Sequence, residues 1–169
     1  MSTLHEIGSA VRMRRTEMGL TQEALARISG LSRSTINGVE TQSVANLSIT
    51  KAEGLLESIG LSISVAGADT PGNGKSPPSR SALERAAATA STSYGPMLTA
   101  NQLETALLTG AEPDTIGPHL QALLDEAPMS LLAKVVEELH IEKGVERTAV
   151  WTRMRHLARE LKCFRLVWK

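Results

Sequence analysis

The sequence predicts a mostly α chain in two parts, a small helical N-terminal domain over 1–66 and an all-α C-terminal domain over 82–169. Three observations predict it. Apolar residues recur at three- and four-residue steps on both sides of the middle of the chain, the spacing of one helix face. Between them, GADTPGNGKSPPSRS over 67–81 is dense in Gly, Pro and Ser without any apolar period, and reads as a flexible linker. Aromatic residues make up only 2% of the 169, so any core must be built from Leu, Ile, Val, Ala and Met, which suits helices packed on helices. That length holds one ordinary domain or two small ones.

Taken in order, Leu4, Ile7, Val11 and Met18 define a first helix ending near Gly19. Thr21 is suited to cap a second helix from Gln22 to Ile28, because a hydroxyl there can accept from a free amide of the first turn. Ser29-Gly30-Leu31 forms the turn, and Ser32 caps a third helix from Arg33 to about Glu40. A fourth helix covers roughly Ser48 to Ile59, with Ile49, Ala52, Leu55, Leu56 and Ile59 facing inward. Gly60 stops it, and Leu61, Ser62, Ile63, Ser64 and Val65 alternate like a strand. The N-terminal domain therefore reads as four or five helices and a short strand.

Past the linker, Ala82 to Ala90 is one helix, and Thr99 with Gln102 makes a capping box for another that Gly110 closes. Pro118 fits the first turn of a helix running to Glu126. Leu131, Leu132, Val135, Val136 and Leu139 mark an amphipathic helix stopped near Gly144, and Val150, Met154, Leu157, Ala158 and Leu161 mark the last. CFRLVWK at the end reads as a terminal strand or a packed tail.

The segment from Gly19 to Glu40 carries the function. Two short helices crossing steeply need a turn residue tolerant of positive φ, which Gly30 supplies, and a small residue at their approach, which Ala24 supplies. Leu25, Ile28, Leu31, Ile36 and Val39 fill the core between them. The other face of the third helix carries Arg33, Ser34, Thr35 and Asn37 near its N-terminal end, where a recognition helix meets base edges. Arg pairs bidentately with guanine and Asn with adenine.

On these residues the chain resembles the lambda-type phage repressor and Cro (XRE-type) family, across roughly Leu4 to Ile59. The pattern T-Q-x-x-L-A-x-x-x-G-x-S-x-x-T-I runs from Thr21-Gln22 through Thr35-Ile36. The resemblance implies a five-helix-type helix-turn-helix fold in which Gln22 caps the second helix and touches backbone or an outer base, and Arg33 and Ser34 read bases. It also implies an ion pair between Arg15 and Glu40. DNA contacts are thus expected from Thr21, Gln22, Ser32, Arg33, Ser34, Thr35 and Asn37. Gly38 stands where the family often has a longer base-contacting side chain, and Thr41-Gln42 replaces the usual Asn-Gly after the third helix.

Leu47 to Val65 also resembles the end of the DNA-binding domain in HipB-type antitoxins, which implies that Leu61–Val65 pairs with its twin across a two-fold axis. Such a homodimer would set two recognition helices about 34–36 Å apart on a palindromic site.

Other chemistries are poorly served. GKS at 74–76 lacks the P-loop glycine, the position being Asp69, and Pro77-Pro78 block the helix that would hold phosphates. His5, His119, His140 and His156 show no ligand spacing and Cys163 is the only cysteine, so no metal site, cofactor or disulfide is expected. No nucleophile has a visible base, so no catalytic residue is expected. No signal peptide or membrane span is read, which points to a cytoplasmic protein.

Net charge is zero, but its distribution is uneven. Residues 83–146 carry three basic residues (Arg85, Lys134, Lys143) against ten acidic ones, whereas 147–169 carry seven basic residues against Glu160 alone. Arg155, Arg159 and Lys162 share one helix face, read either as a phosphate-contacting surface or as a solvated or docking patch facing acids such as Glu137 and Glu142. Trp151 and Trp168 read as core.

Three functions fit the sequence. The expected one is a homodimeric, sequence-specific repressor of transcription acting on its own operator, with residues 82–169 sensing or binding something. An antitoxin would use residues 82–169 or the linker to neutralise a toxin while the N-terminal domain represses the operon. A structural adaptor would keep the fold without base readout. Double-stranded DNA is the expected partner in the first two, a toxin protein in the second alone.

Overall fold

Side-chain caps fix most helix starts. Thr21, Ser32, Ser48, Ser81 and Thr99 each accept a hydrogen bond from the backbone amide three residues on, and Ser81/Glu84 and Thr99/Gln102 close full capping boxes. A computed structural model of the chain describes residues 3–44, 46–64, 80–92, 95, 97–110 and 115–169. The first four helices are α1 (Thr3–Glu17), α2 (Gln22–Ser29), α3 (Arg33–Glu40) and α4 (Ile49–Ser58). After them come α5 (Ala82–Ala90), α6 (Ala100–Thr109), α7 (Gly117–Glu126), α8 (Met129–Lys143), α9 (Arg147–Glu160) and a closing 3-10 turn, η1 (Leu166–Trp168). None of these helices is long and apolar enough to cross a membrane.

In the N-terminal segment, Val11, Leu25, Ile36, Val39, Leu55 and Ile59 are wholly buried. Helix α1 crosses α3 at very close range. A Cβ added at Gly8 would lie 2.3 Å from the Val39 carbonyl oxygen, so only glycine lets these two backbones meet. At the α2–α3 corner Gly30 takes φ 69°, and the Leu31 amide donates back to the Ala26 carbonyl at 3.1 Å.

In the C-terminal segment α5 packs on α8 and α6 on α9. Trp151 and Trp168 are both buried, their ring centroids 6.4 Å apart. The last residues form a packed tail and not a strand. The Trp168 indole donates to the Leu124 carbonyl at 3.0 Å, and Asp125 Oδ1 accepts the amides of Phe164 (2.9 Å) and Arg165 (3.2 Å). Cys163 is buried beneath this tail, and burial together with the Asp125 carboxylate pushes its thiol up to about 12. A thiol so held stays neutral and unreactive.

The two segments share one apolar core. Helix α9 lies against α1, η1 against α2, and α4 against α8. Arg155 donates through Nη2 to the Met18 carbonyl just past the end of α1, where unpaired carbonyls and the helix dipole favour a cation. Of the basic face of α9, Arg155 thus docks on a carbonyl and not on Glu137 or Glu142, while Arg159 and Lys162 are exposed. Glu137 instead takes both guanidinium hydrogen bonds of Arg147 at 2.7 Å.

Three expectations are corrected. Leu61, Ser62, Ile63 and Ser64 form no strand, and Val65 lies outside the described residues. A strand exists only through ladder bonds to a neighbour, and no described residue is paired with this stretch in a ladder. The described N-terminal residues hold four helices, with Leu61 to Ser64, which form neither helix nor strand, in place of a fifth. Ile49 is 68% exposed, because the first turn of α4 stands clear of the core that buries Ala52, Leu55, Leu56 and Ile59. Of the expected linker only Arg80 and Ser81 are described, and Ser81 serves as the α5 cap.

Gly8→Ala tests the α1–α3 contact by its sign. On an open helix surface the change would stabilise by about 1 kcal/mol. Here the clash with Val39 should outweigh that gain and leave a net loss of about 1–2 kcal/mol, read as a lower Tm. A raised Tm would contradict the close crossing.

Candidate nucleic-acid interface

Local chemistry builds the exposed edge of α3 from its first residue. Ser32 Oγ accepts the Thr35 amide at 3.1 Å and lies 2.8 Å from both Ser34 Oγ and Thr35 Oγ1, a hydroxyl cluster at the helix N-terminus. Arg33, Ser34 and Asn37 are exposed, Thr35 is half-buried, and Ile36 and Val39 on the far side are buried. Thr21 is exposed and its hydroxyl accepts the Ala24 amide at 3.0 Å. The N-termini of α2 and α3 thus offer backbone amides and hydroxyls of the kind that bind phosphate oxygens.

Behind this edge sits a buried carboxylate. Glu40, 6% exposed, takes Arg15 Nε at 2.6 Å on one oxygen and Arg15 Nη2 at 3.0 Å on the other. The third guanidinium nitrogen donates to the Leu20 carbonyl at 2.7 Å. Gln22 Nε2 donates to Glu40 Oε2 at 3.0 Å and to Asn37 Oδ1 at 3.4 Å. Burial by itself would raise the Glu40 carboxyl. The hydrogen bonds from Arg15 and Gln22 and the charges of Arg15 and Arg12 outweigh it, leaving the group below the ordinary glutamate value.

The structure thus brings together the expected pair Arg15 and Glu40, and joins Gln22 and Asn37 to it. Gln22 does not cap α2, since Thr21 does. Its amide crosses from the first turn of α2 to the last turns of α3. Gly38 is also reassigned. It is buried, and a Cβ there would lie 2.5 Å from Val44 Cγ2, so it makes room for the following loop and is not a shortened base contact. The amides of Ser43 (2.9 Å) and Val44 (3.3 Å) both donate to the Gly38 carbonyl. In the same loop Gln42 takes φ 60°, a left-handed bend made without the Asn-Gly usual in the family that this segment resembles.

Two features of the site escaped sequence reasoning. Gly8 had a signal, because a glycine inside a helical pattern costs helix stability and marks a close approach. The Leu20 carbonyl as a partner of Arg15 had none, since no side-chain type encodes it.

Comparison with known proteins agrees with this geometry. Residues 11–65 match the helix-turn-helix family model, a span that begins within α1 and includes all of α2, α3 and α4. No curated protein and no solved structure matches the chain. The match and the geometry define the N-terminal segment as a DNA-binding regulatory domain. More particularly, it is a helix-turn-helix domain of the XRE type.

A depressed carboxyl contributes stability that is full above its unfolded value and lost as pH falls through its folded one. Unfolding free energy should therefore decline as pH drops below the ordinary glutamate value of 4.5. Glu40→Gln should cost about 2–4 kcal/mol at pH 7, because it leaves Arg15 part-buried and unpaired. In urea titrations the gap between variant and wild type should narrow below pH 4.5. A gap that is constant with pH would place the effect elsewhere.

Proposed function

We propose that this protein is a sequence-specific repressor that acts as a homodimer on a palindromic operator, most simply that of its own gene. The observation that carries the reading is the single polar edge of α3. Arg33, Ser34 and Asn37 stand exposed along one side of a helix whose other side is buried and whose last residue is pinned through Glu40. In this reading α3 lies in the major groove. Arg33 pairs with a guanine, and Asn37, its oxygen oriented by Gln22, pairs with an adenine. Thr21, Ser32, Ser34, Thr35 and the amides at the two helix starts hold the phosphates on either side.

Homodimerisation would use the residues after α4, Leu61 to Ser64. Ser62, Ile63 and Ser64 are exposed, and a twin copy would supply the ladder that is absent among the described residues. Residues 82–169 would then be the sensing part. A cavity between the two segments favours that reading over toxin neutralisation, because it offers a ligand a place against the DNA-binding domain itself.

Selection from a pool of random duplexes, followed by fluorescence anisotropy, tests the proposal. Enriched duplexes should carry two inverted half-sites about one helical turn apart. Arg33→Ala should weaken binding to them by about 1–3 kcal/mol with Tm unchanged. No enrichment, or equal affinity for the enriched duplex and its scrambled version, would overturn it.

A further inference from the structure

The cavity that opens between the two segments measures about 780 Å³, within the range of about 300–1,000 Å³ typical of small-molecule sites. One wall belongs to the DNA-binding domain, with Ile28 near the end of α2 and Glu57 near the end of α4. The other belongs to the C-terminal segment, with Asp125 and Glu126 of α7, Met129 at the start of α8, and the tail around Arg165 and Leu166. Neither segment encloses it alone.

The lining has two chemistries. Ile28, Met129 and Leu166 give it an apolar body. Its charge is set by three carboxylates against one guanidinium. Arg165 is turned to the fold, donating through Nη1 to the Ala127 carbonyl at 2.6 Å, with the Asp125 charge beside it. Asp125 is itself engaged by the amides of Phe164 and Arg165. Glu57 and Glu126 have no ion pair or side-chain hydrogen bond among the described residues. They are the carboxylates left to meet a ligand, one from each wall.

We propose that this cavity binds an amphipathic organic cation, its apolar body against Ile28, Met129 and Leu166 and its charge between Glu57 and Glu126. The inference rests on the sensing role given above to residues 82–169. Such a ligand bridges the segments beside α2, the helix whose C-terminal turn leads through Gly30 into α3. A ligand seated on Ile28 therefore touches the support of the recognition helix.

Tetraphenylphosphonium and tetraphenylborate have nearly the same shape and opposite charge, which makes them suitable probes. Isothermal titration of the full chain, without DNA, reads binding independently of any operator. Tetraphenylphosphonium should bind saturably at one site per chain, at least about tenfold more tightly than tetraphenylborate. Glu57→Gln with Glu126→Gln should weaken the cation by roughly tenfold and leave Tm unchanged, since both side chains are exposed. Ala122→Phe, which fills the cavity from α7, should abolish binding of either ion. Equal affinity for the two ions, no saturable binding of the cation, or cation binding indifferent to these variants would each overturn the proposal. A chain that binds the cation yet enriches no duplex would overturn the repressor reading and leave the site standing.

Discussion

The N-terminal domain turns on one buried carboxylate. Moving an isolated carboxylate out of water costs several kcal/mol, and Glu40 remains ionised because its oxygens are met by Arg15 and Gln22. Arg15 comes from the end of α1, Gln22 from the start of α2 and Glu40 from the end of α3. A single polar cluster thus sets where three helices meet. A buried ion pair contributes little net stability compared with apolar packing of the same volume. What it contributes here is direction, because a fork-shaped guanidinium accepts a carboxylate in few orientations.

The rest of the fold is arranged to let that cluster form. Gly8 brings the α1 backbone against Val39, one residue before Glu40, and Gly38 lets the next loop close over the end of α3. Arg155 reaches from α9 to the Met18 carbonyl, three residues past Arg15. The C-terminal bundle is therefore in contact with the helix that supplies the guanidinium, and through η1 with the helix that supplies Gln22. The C-terminal segment thus has a short path of contacts to α3.

How much of this was legible in the sequence followed the range of each interaction. Thr21, Ser32 and Thr99 announce helix starts because a cap bonds only three residues away. Gly110 and Gly144 announce ends for the same reason. Ser48 and Ser81, read as helix and linker, are caps that only the structure identifies. The Arg15–Glu40 pair spans 25 residues and was accessible only through resemblance. The Arg155–Met18 contact spans 137 residues and ends on a carbonyl, which no residue type signals. Ile49 shows the limit of periodicity, which tells which face is apolar but not where the core stops. Leu61 to Ser64 show another limit. Alternation marks a segment able to pair, and pairing depends on a partner strand that the described chain does not supply.

The most direct measurement replaces the cluster's ion pair with apolar volume, Arg15→Leu together with Glu40→Leu, and follows two quantities in one protein. One is Tm, and the other is the ratio of affinities for an enriched duplex and its scrambled version. If the pair serves chiefly to orient α3, Tm stays near the wild-type value or rises. The specificity ratio then falls by about tenfold or more, since a tilted recognition helix loses base contacts before phosphate contacts. A double variant that keeps the full ratio would contradict this, because α3 would then be positioned without the Arg15–Glu40 cluster.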